Sequence, residues 1–254
     1  MLVAICSGHP KSAISTYAKA VKTDWPVYAD TDRAFESAVL KQVISLKNIH
    51  QTMLMEPSGE THFIDGEKLD DAVKGEIGKA SWNIDGKDMP PSLKKAWLSL
   101  EFGQFSSAIV TIKQALGATD AKVKAAAQTL DAAVQADVTK RFADAQAKVS
   151  AGEKWDGYKI FDFIAGNFKP YPEVAKSQAE IGKLRGDAKV KKELQAKFLF
   201  DKVQELAASP RKPDHETARQ GVQQLQAQFA DTEAGAASKN LKVPDDKKPE
   251  KPAG

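Results

Sequence analysis

The chain has 254 residues, of which 42% are hydrophobic and 28% charged, an ordinary composition for a folded protein of one large or two smaller domains. Its 37 Lys and Arg residues nearly balance 34 Asp and Glu residues, and a net charge of +3 does not predict a surface that neutralises nucleic-acid phosphates. No stretch approaches the roughly 18 apolar residues of a transmembrane helix. We therefore expect neither a nucleic-acid partner nor membrane insertion.

The first residues predict a strand that leads into a helix. Leu2–Ile5 is a short apolar run that ends at Cys6, the single cysteine, and Pro10 suits a first helical turn. Apolar residues then recur at helical spacing, at Ala13, Ile14, Tyr17, Ala18 and Val21. With one cysteine, the chain forms no internal disulfide.

A second strand and helix follow. Trp25–Ala29 is strand-like, with Pro26 at its start, where proline is tolerated. Asp30 and Asp32 come directly after it. They lie where open α/β sheets place ligands, but capping of the helix that begins near Ala34 also explains them.

The next segment predicts a β-hairpin and a closing helix. Thr52–Met55 and Thr61–Ile64 have strand-like composition. Glu56–Gly59 joins them with proline and glycine at positions that favour a turn. Leu69, Val73 and Ile77 then repeat every four residues, which predicts a helix over Lys68–Ile77.

The resulting order, β-α-β-α-β-β-α, resembles the thioredoxin fold over about the first third of the chain. In one register, Cys6-Ser-Gly-His9 occupies the place of the family's C-x-x-C motif. In the other, Ala4–Gly8 is a later strand, and the redox strand lay upstream of Met1. In both registers the second cysteine is missing, and Ile49–Thr52 carries no proline where the family has a cis-proline, so ordinary disulfide exchange is not expected.

From Pro90 onward the sequence predicts helices. Ala96, Trp97, Leu100, Gly103, Phe105 and Ala108 follow the spacing of a tetratricopeptide repeat, which this segment resembles. A second segment, Ala147–Leu184, matches the repeat pattern more weakly. A third helical pair is expected at Ala188–Ala208 and Glu216–Phe229. Between the first repeat and this second segment, Asp120 as a cap and Gly152 as a stop predict one long helix.

These patterns predict a thioredoxin-like α/β domain over residues 1–85 and an all-α, tetratricopeptide-like domain over residues 90–241. Residues 242–254 are rich in charge and proline and predict a disordered tail. The linker would lie between Gly78 and Pro91.

Cys6 and His9 are the candidate catalytic residues. A thiol at the N-terminus of the Pro10 helix, paired with His9, would be a nucleophile. The alternative is a Cys6 that ends a buried strand and behaves as a small hydrophobic residue. The four histidines lack metal-ligand spacing, no nucleotide signature is present, and no cofactor is expected.

Aromatic residues of the helical region are the candidate protein-binding residues, chiefly Trp97, Phe105, Trp155 and Tyr158, with Phe102, Phe161 and Phe168 beside them. They could line a peptide groove. Packing between the repeat helices is the alternative at this spacing.

The expected function is a redox-inactive, thioredoxin-like interaction or scaffold module that binds a protein through its helical repeats. One alternative is a thiol oxidoreductase or peroxidase that uses Cys6. Another is the C-terminal fragment of a longer thiol-disulfide oxidoreductase. The resemblance implies a bacterial periplasm or cell envelope, whereas the missing signal sequence favours the cytoplasm for the chain as given.

Overall fold

The computed structural model describes residues 4–23, 27–31, 33–40, 52–56, 60–79 and 82–244, and it is mostly helical with small sheets. The chain divides into two compact units. Unit 1 comprises Met1–Val73 with Lys192–Gly254, and unit 2 comprises Lys74–Lys191. The predicted domain bounds, 1–85 and 90–241, differ from these units and stay a prediction about separately folding parts. The predicted tail falls mostly on residues 245–254, outside the described ones.

Unit 1 begins with a β-α-β crossover. Strand β1 (Ala4–Ser7) pairs in parallel with β2 (Val27–Asp30), and helix α1 (Lys11–Ala20) connects them. A π-helical turn follows at Glu36–Leu40. Of the apolar residues that recur along α1, only Ile14 is buried. A two-stranded sheet covers only part of a helix face, and the helical spacing did not predict this exposure.

The two strands of the predicted hairpin are confirmed with their bounds, while residues 57–59 of its predicted turn lie outside the described ones. Strand β3 (Thr52–Met55) pairs antiparallel with β4 (Thr61–Ile64). A 3-10 turn at Gly66–Lys68 and helix α2 (Leu69–Ile77) follow. Among the described residues, the four strands form two separate two-stranded sheets.

The remaining helices of unit 1 form its buried core. They are the greater part of α8 (Ala188–Ala207), α9 (Lys212–Gln228) and α10 (Glu233–Ser238). Ala196, Val203, Ala218 and Leu225 are almost fully buried between them. Gly221 of α9 permits this close packing, because a Cβ there would lie 2.3 Å from Val203.

Unit 2 contains two helical hairpins packed on one long helix. The first hairpin is α3 (Pro91–Glu101) with α4 (Phe105–Ala115), and the second is α6 (Lys154–Asn167) with α7 (Pro172–Leu184). The long helix, α5 (Ala121–Ser150), contacts all four. The Asp120 carboxylate caps α5 by accepting hydrogen bonds from the N–H groups of Lys122 and Val123.

The core of unit 2 lies along one face of α5. The side chains on this face are at most 2% exposed, and they are Ala127, Leu130, Val134, Val138 and Ala145. Their spacing of three, four and seven residues keeps them on one side of the helix. Within the described part of the chain, no helix is both long enough and apolar enough to cross a membrane.

The packing predicts a contrast between two identical substitutions. Val138→Ala should lower the free energy of unfolding by about 2 to 3 kcal/mol, because two buried methyl groups are lost and a cavity remains. Val110→Ala, at a side chain that is 56% exposed on α4, should change it by less than about 0.5 kcal/mol. Urea denaturation measures both. Equal effects would contradict the placement of the core on α5.

Candidate functional site

The first candidate site is the end of the β1–β2 sheet where both strands finish. The Ser7 hydroxyl donates a hydrogen bond to the Asp30 carboxylate over 2.6 Å, and the Gly8 N–H donates to the Asp30 carbonyl over 2.8 Å. Asp30 Oδ1 accepts from the N–H of Phe35 over 3.0 Å. Asp30 therefore caps the following helical segment, as expected from the sequence. Asp32 lies outside the described residues.

A partly buried ion pair lies next to this cap. Arg33 Nη1 lies 2.8 Å from both carboxylate oxygens of Glu36, whose side chain is only 3% exposed. The backbone of Arg33 has φ +59°, a conformation that L residues seldom adopt. Gly8, at φ +72°, makes room for the guanidinium, because a Cβ there would lie 2.2 Å from Arg33 Nη2. The ion pair is local, between residues three apart, and Gly8 lets the Arg33 guanidinium lie close to the end of β1.

The structure does not join Cys6 and His9. Cys6 is half-buried inside β1, opposite Ala29, and α1 begins only at Lys11. Side chains alternate along a strand, so the Cys6 thiol lies on the opposite sheet face from Ser7 and its hydrogen bond to Asp30. His9 is exposed beyond the strand, and within the described residues no hydrogen bond links the two side chains. Their catalytic role stays a prediction.

The second candidate site is the aromatic set of unit 2, and the structure buries its four named members. Trp97, Phe105, Trp155 and Tyr158 are between 5% and 8% exposed. Trp97 donates a hydrogen bond from Nε1 to the Ile84 carbonyl over 2.9 Å and packs edge-on against Trp82. The rings of Trp155 and Tyr158 stack with centroids 5.5 Å apart. These residues pack the helices together, and their role in protein binding stays a prediction.

Phe105 lies beneath an exposed aromatic residue that the sequence patterns did not single out. Phe163 is 37% exposed, and its ring lies 6.0 Å from Phe105 and 5.9 Å from Phe168, both of which are buried. The Arg141 guanidinium of α5 lies 5.3 Å from the Phe163 ring and 5.4 Å from the Phe105 ring. We call Phe163 with Arg141 the aromatic–cation surface.

A sequence signal for Phe163 exists. Phe161 and Ile164 lie three residues apart on the buried face of α6, and the buried Phe168 follows four residues later, just after the helix ends. Phe163 is offset from Phe161 by two residues, about 200° around a helix, and so lies on the opposite side. Single exposed apolar side chains are common on protein surfaces, so Phe163 is distinguished by its contacts with the Phe105 and Phe168 rings and with Arg141.

A polar cluster fixes the start of α7 against α4 and α5. The Tyr171 hydroxyl donates a hydrogen bond to the Asp131 carboxylate, which also pairs with Lys113 Nζ over 2.7 Å. Burial, and then the bond to Asp131, raise the pKa of the Tyr171 phenol well above its ordinary value. The phenol therefore stays protonated and keeps donating. Lys113 also lies 4.2 Å above the Tyr171 ring.

Among the described residues, no group of three or more His, Cys, Asp or Glu side chains could hold a metal ion. No family model matches the sequence, and neither a curated protein nor a solved structure matches the chain. The function is therefore inferred from the residues themselves.

Trp97→Ala should lower the free energy of unfolding by roughly 3 to 5 kcal/mol, because a buried ring and its hydrogen bond are lost. Gly86 supports this expectation, since a Cβ there would lie 2.3 Å from the Trp97 ring. Trp97→Phe, which keeps an aromatic ring, is the control and should cost less. A change below about 1 kcal/mol for Trp97→Ala, measured by urea denaturation, would contradict the packing role.

The half-buried thiol predicts slow alkylation. Iodoacetamide should label Cys6 more slowly in the native chain than in the urea-unfolded chain, because β1 and its surroundings restrict access. The labelling rate is measured from pH 6 to 9 by mass spectrometry. A native rate well above the unfolded rate at pH 6 to 7, slowed by His9→Ala, would instead support a thiol enzyme.

Proposed function

We propose that this protein is an interaction or scaffold module that binds a protein partner through the aromatic–cation surface of its helical unit. The single observation that carries the proposal is Phe163. Its ring is more than one-third exposed, yet two buried aromatic rings and the Arg141 guanidinium hold it in place. A side chain that is already ordered loses little entropy when it binds.

The composition of this surface supports protein binding. Aromatic residues and arginine dominate the residues that contribute most to binding energy at protein interfaces. Arg141 is itself partly exposed and is oriented by Asp137, whose carboxylate lies 2.8 Å from Arg141 Nε. A partner could therefore place an apolar group on Phe163 and an acceptor on Arg141.

The helical hairpins of unit 2 support a tetratricopeptide-like scaffold. In such scaffolds each pair of helices contacts its neighbours and leaves outer faces free for binding. Small side chains at the helix contacts, such as Ala108 and Gly157, agree with this architecture.

We propose further that the N-terminal α/β part is a thioredoxin-like module without redox activity. The parallel β1–α1–β2 crossover and the β3–β4 hairpin support it, as does the separation of Cys6 from His9. The thiol enzyme is the alternative, and the alkylation of Cys6 distinguishes the two.

Affinity capture with the full-length chain tests the binding function. Phe163→Ala and Arg141→Gln should each abolish capture of the partners that the native chain retains from lysate of its source cells, as identified by quantitative mass spectrometry. Phe198→Ala is the matched control, because it truncates another exposed phenylalanine, 75% exposed on α8, that is not part of the aromatic–cation surface.

Circular dichroism must show that each variant keeps its helix content. If the Phe163 and Arg141 variants retain the same partners as the native chain, the aromatic–cation surface is not the binding site. If the Phe198 variant loses the partners equally, the proposal fails as well.

A further inference from the structure

Helix α1 carries an apolar face that the rest of the protein covers along one edge only. Ile14 is 8% exposed and Ala18 is half-buried, whereas Tyr17 is 66% and Val21 is 49% exposed. Ala13 and Ala20 are exposed beside them. At 100° per residue, the apolar side chains from Ala13 to Val21 fill one continuous arc of about 160°.

The opposite arc of α1 carries Lys11 and Lys19, and Lys22 follows just after the helix, at a backbone φ of +53°. Lys11, Lys19 and Lys22 are all exposed, and residues 11–23 contain no acidic side chain, so this segment carries three positive charges. None of the three lysines forms an ion pair with a described residue. The remaining side chains of this arc are serine and threonine. The free positive charge predicts a negatively charged partner.

We propose that α1 binds the surface of an anionic lipid bilayer. Tyr17 and Val21 would enter the interface between headgroups and acyl chains, with the helix axis parallel to the bilayer plane. The lysines would lie at headgroup level, where an aliphatic lysine chain can extend its charge into water. Such a helix lies on the membrane without crossing it.

The limited area of the apolar face favours a lipid surface over a second copy of the chain. A tyrosine side chain buries at most about 150 to 250 Å², and a stable dimer needs roughly 800 Å² from each partner. Tyr17 and Val21 with two alanines fall far short of that. A bilayer requires no complementary shape, and each lysine near an anionic surface strengthens binding about fivefold. Attraction between the lysines and the anionic headgroups therefore provides binding free energy that the small apolar face cannot provide alone.

This inference goes beyond the proposed function, because it concerns unit 1 and uses none of the residues of the aromatic–cation surface. A variant that loses lipid binding should keep protein binding, and the reverse also holds, so each proposal can be rejected without the other.

Vesicle sedimentation with the full-length chain tests the proposal. Vesicles of 30% phosphatidylglycerol in phosphatidylcholine should bind the chain at 50 mM salt, and pure phosphatidylcholine vesicles should not. Replacement of Lys11, Lys19 and Lys22 by glutamine should weaken binding about a hundredfold. Tyr17→Ser, which keeps every charge, should also weaken it, and this distinguishes insertion of α1 from simple attraction of opposite charges.

The matched control removes the same charge elsewhere. Lys94, Lys95 and Lys122 are exposed in unit 2, and their replacement by glutamine should leave binding within about threefold of the native chain, because they lie outside the proposed lipid-binding helix. An equal loss in this control, or no binding to anionic vesicles, would overturn the proposal. The proposal would also be overturned if the chain did not bind vesicles but bound immobilised polyglutamate through Lys11, Lys19 and Lys22. The partner would then be an acidic protein.

Discussion

The buried face of α5 is the constraint on which unit 2 depends. A 30-residue helix is about 45 Å long, and both hairpins pack against it. Helices α4 and α6, with 11 and 14 residues, together span roughly 38 Å at the same rise per residue. They can therefore lie end to end along α5. Without α5, each hairpin would expose its apolar face to water.

The meeting point of α4 and α6 produces the aromatic–cation surface. The Ser106 hydroxyl, in the first turn of α4, donates to the Asn167 carbonyl at the end of α6 over 3.5 Å. The partly negative end of one helix thus faces the partly positive end of the other, which is a favourable arrangement of helix dipoles. Phe105 and Phe168 fill the junction with ring centroids 4.5 Å apart. Phe163 covers them and reaches the surface, so the exposed ring is a consequence of how the two helices meet.

Local signals predicted the elements well, and the burial of their faces less well. Asp120 and Gly152 predicted the bounds of α5 to within about a residue, because a cap and a left-handed glycine act on their immediate neighbours. The strands β3 and β4 were also predicted with their bounds. Periodicity on α1 showed which residues share a face. Whether that face is covered depends on the width of a sheet assembled from distant residues, and the spacing within one helix carries no information about it.

The candidate sites show the same contrast between local signals, which the sequence carries, and burial, which depends on distant residues. Trp97, Phe105, Trp155 and Tyr158 lie at helical spacing, which is equally compatible with a groove and with a core, and only the packing of neighbouring helices decides between them. Cys6 and His9 are three residues apart, but the strand conformation at Cys6 and the turn at Gly8 set their directions, and these depend on pairing with β2. Phe163 was the residue that a stricter use of the helical period could have identified. Its contact with Phe105 of α4, which fixes the ring at the surface, depends on how the two helices meet, and the period of one helix carries no information about that.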